Sequence, residues 1–113
     1  MQQLDGAGRH TPTSTQHWVE HLRVPHLSVG TYSLPAGGTD SQQPHTEDEI
    51  YVCTGGHATL WTPTHSVPVG PGDVTFVPAG EEHRFVDITE DFTVLVVFGP
   101  AEYTRAPEDR HSN

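Results

Sequence analysis

The chain contains no lysine and only one cysteine in 113 residues. Cys53 cannot close an intramolecular disulfide by itself, so a disulfide-stapled fold is excluded. Basic residues number five, all arginine, against 15 acidic ones, for a formal charge of −10. A surface of that sign repels phosphate backbones and anionic lipid, which argues against nucleic-acid or membrane-surface partners. Long apolar runs are missing too: Val94–Phe98 is the longest, far short of the ~20 residues that span a bilayer. Met1–Asp5 form neither a basic region nor an apolar stretch, so no signal peptide is expected and the expected location is the cytoplasm. No phosphate-cradling glycine loop and no nucleophile-elbow serine is present, which leaves little room for nucleotide binding or serine hydrolysis.

What is plentiful is turn chemistry and imidazole. There are 11 Gly, 10 Pro and nine His, with only 33% hydrophobic residues. The length is that of one domain, and the composition favours short strands joined by turns over helices. Residues 1–15 read as a flexible N-terminal arm, 16–103 as the folded domain and 104–113 as a polar tail. Within the domain the signal has period two. Leu27–Leu34 alternates, with Leu27, Val29, Thr31 and Ser33 sharing a face. His17–Val24 fits a strand or one short helix. Glu49–Cys53, then Gly55-Gly56, then His57–Trp61 reads as a hairpin. Further strands fit Ser66–Val69, Asp73–Val77, His83–Ile88 and Thr93–Phe98, punctuated by turns at Pro71-Gly72-Asp73 and Pro78-Ala79-Gly80. Some eight short strands in one small domain argue for an all-β sandwich or barrel.

Two segments concentrate metal-ligand types: Gln43-Pro44-His45-Thr46-Glu47-Asp48-Glu49 and Gly80-Glu81-Glu82-His83. Two imidazoles with one carboxylate suit Zn, Mn, Fe, Ni or Cu and leave coordination positions open. If the first segment stays extended, His45 and Glu49 face the same side, and His83 at the start of a later strand can meet them. Tyr51 and Cys53 share that parity; Tyr51 is a candidate to touch substrate, whereas Cys53 reads as buried filler. Phe85 and Asp87 share parity with His83 and are expected to point inward. Glu47 and Asp48 are expected in a solvated turn, with Glu47 the weaker ligand candidate. His10 and His111 are expected to be solvated in the arms, and His17, His21, His26 and His65 to lie at the surface. His57 is a candidate for the cavity rim, and Trp18 and Trp61 for packing or dimer contacts.

These residues resemble the cupin superfamily. Gly37-x5-Gln43-x-His45-x3-Glu49-x6-Gly56 is similar to the first cupin motif, and Gly72-x5-Pro78-x-Gly80-x2-His83-x3-Asp87 to the second. The resemblance implies a jelly-roll barrel, a double-stranded β-helix, and a metal held by the positions of Gln43, His45, Glu49 and His83. Two departures matter. Gln43 replaces the first histidine of the family pattern, and an amide is a poorer donor for a first-row metal. Asp87 replaces an asparagine, which places a carboxylate where it could support His83. The function so implied is that of a small metal-dependent enzyme. Its divalent transition metal would act on a small-molecule substrate inside the barrel, with Glu49 and Tyr51 as catalytic candidates. A dioxygenase heads the expected classes, ahead of an isomerase or lyase. The alternatives are a non-catalytic binder of small molecules and an accessory dimeric protein; a homodimer is expected in any case.

Overall fold

A computed structural model describes residues 1–10 and 17–105. The remainder of the arm, 11–16, and most of the tail including His111 lie outside the described residues. Eight strands form: β1 (Trp18–Val24), β2 (Leu27–Leu34), β3 (Asp48–Gly55), β4 (Ala58–Trp61), β5 (Ser66–Val69), β6 (Val74–Val77), β7 (Arg84–Val86) and β8 (Phe92–Gly99). They build a five-stranded sheet in the order β1-β2-β8-β3-β6 and a three-stranded sheet in the order β5-β4-β7, all pairs antiparallel. The two sheets enclose the core as a jelly roll. No helix among the described residues is long and apolar enough to cross a membrane.

Period-two burial sets which residues reach the interior. On β8, Phe92, Val94, Val96 and Phe98 are buried and their neighbours only half-buried. Across the β3–β8 register, Glu49, Tyr51 and Cys53 lie opposite Phe98, Val96 and Val94, so carboxylate, phenol and thiol all enter the barrel. Leu60 and Phe85 close the core from the smaller sheet, with the Phe85 ring 4.8 Å from Phe92 and 4.9 Å from Tyr51. His17–Val24, open between strand and helix in sequence, is resolved by pairing: Trp18–Val24 runs along Leu27–Tyr32 as β1.

Three expectations change. The Gly55-Gly56 turn does not close a hairpin, because β3 pairs with β6 and β8 whereas β4 pairs with β5 and β7. The turn instead carries the chain from one sheet to the other. Gly56 adopts φ +79°, and a Cβ there would sit 2.2 Å from the Asp91 carbonyl oxygen. Second, β7 is shorter than the pattern indicated. Asp87 takes φ +51°, which breaks the alternation and leaves Asp87 exposed and Ile88 buried in its place. Third, both faces of β2 are covered. Gly30, Tyr32 and Leu34 face the barrel, while Thr31 and Ser33 on the other face receive the arm. There Gly8 N–H donates to Thr31 Oγ1, and Ser33 Oγ donates to the His10 carbonyl.

Candidate metal centre

The loop from β2 to β3 and the start of β7 bring the predicted donors together. His45, Glu49 and His83 are 7%, 2% and 2% exposed, and one donor atom of each lies within 4.8 Å of the others. Their orientation follows from what the outer atoms do. His83 donates through Nδ1 to the Glu81 carbonyl at 2.7 Å. This turns Nε2 inward, 3.0 Å from Glu49 Oε1 and 2.9 Å from the Tyr51 hydroxyl. His45 is engaged through Nε2, 2.9 Å from Glu102 Oε2, and its Nδ1 faces Glu49 Oε1 at 3.6 Å, beyond hydrogen-bonding range. Both His45 Nδ1 and Glu49 Oε2 are buried without a hydrogen-bond partner.

Buried polar atoms ordinarily find partners; here His45 Nδ1 and His83 Nε2 both face Glu49 Oε1, and the sister oxygen Oε2 is the second unpartnered atom of the cluster. The donor set fits a first-row divalent ion. Donors about 2.1 Å from a shared tetrahedral ion lie about 3.4 Å apart; Glu49 Oε1 is already 3.0 and 3.6 Å from the two imidazoles, and all three donors lie within 4.8 Å of one another. Without a cation, protons hold the cluster together. Burial alone pulls His45 down, but the Glu102 hydrogen bond and then Glu49 outweigh it and push the imidazole up to about 9. His83 is likewise raised, with Glu49 and the Glu81 carbonyl overcoming its burial. Glu49 is lowered because its two imidazole partners overcome burial. Free imidazoles give a metal affinity that falls below about pH 6; the carboxylates around His45 move the competition with protons upward. Tyr51 stays a phenol, raised well above its ordinary value by burial and then by the Glu49 charge.

The other candidates sort differently. Gln43 is exposed at the mouth of the cavity, while its neighbour Gln42 accepts the Tyr51 hydroxyl at 3.2 Å and donates to Asp40. Glu47 is not solvated: it is fully buried and accepts the backbone N–H groups of Tyr103 and Arg105. Asp87 does not support His83, being exposed. The buried carboxylate near this part of β7 is Asp40, which accepts the Phe85 N–H at 2.8 Å and the Tyr32 hydroxyl at 2.6 Å. Cys53 is buried filler, its thiol directed at the Gly55 and Gly56 carbonyls. His57 pairs with Glu90 in a depression beside Gly70, away from the cavity. His10 is half-buried, not solvated, with a buried Nε2. Trp18 lines the cavity and meets Phe98 edge-on at 6.2 Å.

A cavity of about 410 Å³ opens beside His45 and Glu49, walled by aromatic rings from Trp18, Tyr32, Phe98 and Tyr103. Glu102 and Tyr103 were not legible in the sequence as site residues. They follow β8 with no ligand spacing to either motif, and only the return of the chain over the barrel mouth puts them there.

A jelly-roll barrel with two imidazoles and a carboxylate at one cavity is the architecture the two sequence motifs implied. The profile of the cupin domain matches residues 30–98, and the chain belongs to the cupin family. It is 46% identical over 85 residues to an uncharacterised protein of Streptomyces coelicolor, an alignment covering 75% of this chain and 81% of that one. A cupin superfamily protein from Desulfitobacterium hafniense superposes with a TM-score of 0.70 at 19% identity, covering 80% of this chain and 83% of the other. EutQ from Clostridium difficile gives a TM-score of 0.70 at 20% identity over 85% and 70% of the two chains. KdgF from Halomonas gives 0.66 at 20% over 74% and 76%. At these identities the structural neighbours speak for the fold.

Proposed function

We propose that this chain is a metal-dependent enzyme in which His45, Glu49 and His83 hold a divalent transition metal at the edge of a substrate cavity. The buried cluster of His45, Glu49 and His83, with His45 Nδ1 and His83 Nε2 facing Glu49 Oε1 and with His45 Nδ1 and Glu49 Oε2 lacking a hydrogen-bond partner, carries this reading. Three protein donors leave positions open, the arrangement suited to Fe(II) oxygenases, and dioxygenase is the reaction class proposed. When bound, the metal supplies Lewis acidity or redox chemistry. The chain itself supplies the rest. Tyr51 offers a proton donor at the base of the cavity, Gln42 orients that hydroxyl, and the aromatic wall excludes water from one face of the substrate. The cavity lining contains Glu49 and Glu102 but no arginine. That charge pattern favours a neutral or amine-bearing molecule over a phosphate or dicarboxylate.

Metal analysis of untagged protein, with thermal melts in chelator and after reconstitution with Fe, Mn, Ni, Cu and Zn, tests the metal. We expect stoichiometric occupancy by at least one ion and a chelator-sensitive melt; neither, for any ion, would overturn the reading. For the oxygenase class, Fe(II)-loaded protein should bind nitric oxide and give an S = 3/2 electron paramagnetic resonance signal. Bound iron without that signal would leave no open position for oxygen. The exposed Gln43 in place of a fourth donor favours a second reading, a non-catalytic binder, which the same iron experiment separates from the first.

We also propose that two copies associate through the outer face of the larger sheet. Val74 and Phe76 on the edge strand β6 are 64% and 57% exposed, and their cross-strand partners are Val52 and Ile50. Those in turn lie beside Leu95 and Val97, so the apolar face continues across three strands and suits a second copy of itself.

A further inference from the structure

After β8 the chain turns back over the barrel, tied down by hydrogen bonds along this return. The Glu102 N–H donates to the buried Ser28 Oγ at 2.8 Å, and the Glu102 carbonyl accepts from the Arg23 guanidinium at 2.8 Å. The Tyr103 and Arg105 N–H groups both donate to the Glu47 carboxylate, which is fully buried. Tyr103 occupies the left-handed region at φ +62°, a conformation that a bulky residue keeps only when its surroundings impose it. The outcome of this bracing is two contacts on one imidazole. Glu102 Oε2 takes His45 Nε2 at 2.9 Å, and the Tyr103 ring stacks on His45 with 5.5 Å between centroids and 25° between planes.

We propose that Ala101–Arg105 is an intramolecular strap that orients the metal ligand His45, with Glu102 as its positioning residue. The assignment rests on the metal reading above. By accepting from Nε2–H, Glu102 reserves the Nδ1 lone pair for the metal and fixes the ring plane, the role that carboxylate partners of ligating histidines play. Glu47, at the end of the β2–β3 loop and two residues from both His45 and Glu49, acts at one remove by anchoring the strap. The strap thus restores rigidity at a site that lacks the donor replaced by Gln43.

The test uses the full chain with Zn2+ as probe. Affinity is measured by competition with a chromophoric chelator, and long-range 1H–15N spectra of the loaded protein identify which His45 nitrogen carries the proton. Wild type should bind Zn2+ with the proton on Nε2. Glu102→Ala should weaken Zn2+ by about 10- to 100-fold. Glu102→Gln, whose amide oxygen still accepts from Nε2–H, should recover most of that loss. Glu47→Ala should show a comparable loss without touching His45, and the double variant should be no weaker than Glu102→Ala alone, as expected for two residues acting through one element. If Glu102→Ala does not fold, the Gln and Glu47 variants with the wild-type spectrum decide the matter. Wild-type affinity in folded Glu102→Ala, equal losses in the Ala and Gln variants, or a loaded His45 protonated on Nδ1 would each overturn the strap. A wild type that binds no ion at all sinks the metal reading and the strap with it, whereas one that binds Zn2+ tightly with unchanged affinity in folded Glu102→Ala sinks the strap alone.

Discussion

At the scale of single residues, the centre is a set of charges held by protons where a cation fits. His45 is raised from 6.5 to about 9, so its charged form stabilises the metal-free fold fully below about pH 6.5, and that contribution is lost as pH rises through about 9. Glu49 is lowered from 4.5, so its contribution is present above that value and lost as pH falls below it. The melting temperature of chelated protein should therefore decline from about pH 6.5 to about pH 9, and decline again in acid. Metal must displace the same protons, so its stabilising increment should grow over the same alkaline window. Melts of chelated and Zn2+-loaded protein across this range check both slopes; parallel curves would contradict the ligand set. His83→Ala should remove the inward Nε2 and lower Zn2+ affinity by more than roughly 100-fold, beyond the loss expected from an outer partner. Circular dichroism should still report a cooperative unfolding transition, since Phe85, Leu60 and Phe92 keep the core closed.

At the scale of elements, two glycines set how strands meet. A Cβ on Gly30 would lie 2.1 Å from the Trp18 ring, which rests on the inner face of β2 and edges the cavity. Gly30→Ala should displace the indole and cost about 1–3 kcal/mol, read by chemical denaturation, with a change in the Trp18 fluorescence. Gly56→Ala combines a positive φ with a backbone clash against Asp91 at the sheet crossover. It should cost at least about 2 kcal/mol, and a loss smaller than that of Gly30→Ala would mean the crossover relaxes easily. The strand bounds followed closely from alternation because both sheets bury one face against the common core. The hairpin at Gly55-Gly56 did not, because a glycine turn looks the same in sequence whether it joins two paired strands or passes between sheets. The extent of β7 also escaped the pattern, since the left-handed Asp87 reverses parity without any sequence mark.

At the scale of the whole molecule, a formal charge of −10 coexists with an apolar sheet face around the exposed Val74 and Phe76. Light scattering coupled to gel filtration should report a dimer, and Phe76→Asp should shift it to monomer without disturbing the Zn2+ affinity, because the outer sheet face and the cavity lie on opposite sides of β3. A monomeric wild type would remove the interface. A dimer unaffected by Phe76→Asp would place it elsewhere, for example at the β1 edge beside the arm.

The sequence by itself determined the barrel class, most strand positions and the three side chains His45, Glu49 and His83 that the fold clusters. These depend on period-two burial and on turn residues at fixed spacing, which are local properties of the chain. Tertiary structure alone decided which carboxylates brace the surroundings of this cluster. Asp87, close in sequence to His83, turns out to solvent, while Asp40 and Glu47 enter from the β2–β3 loop and Glu102 from the segment after β8. Such partners are chosen by where the chain returns over the barrel mouth. That return is fixed by hydrogen bonds between residues up to 79 positions apart, as between Arg23 and Glu102, which no local pattern records.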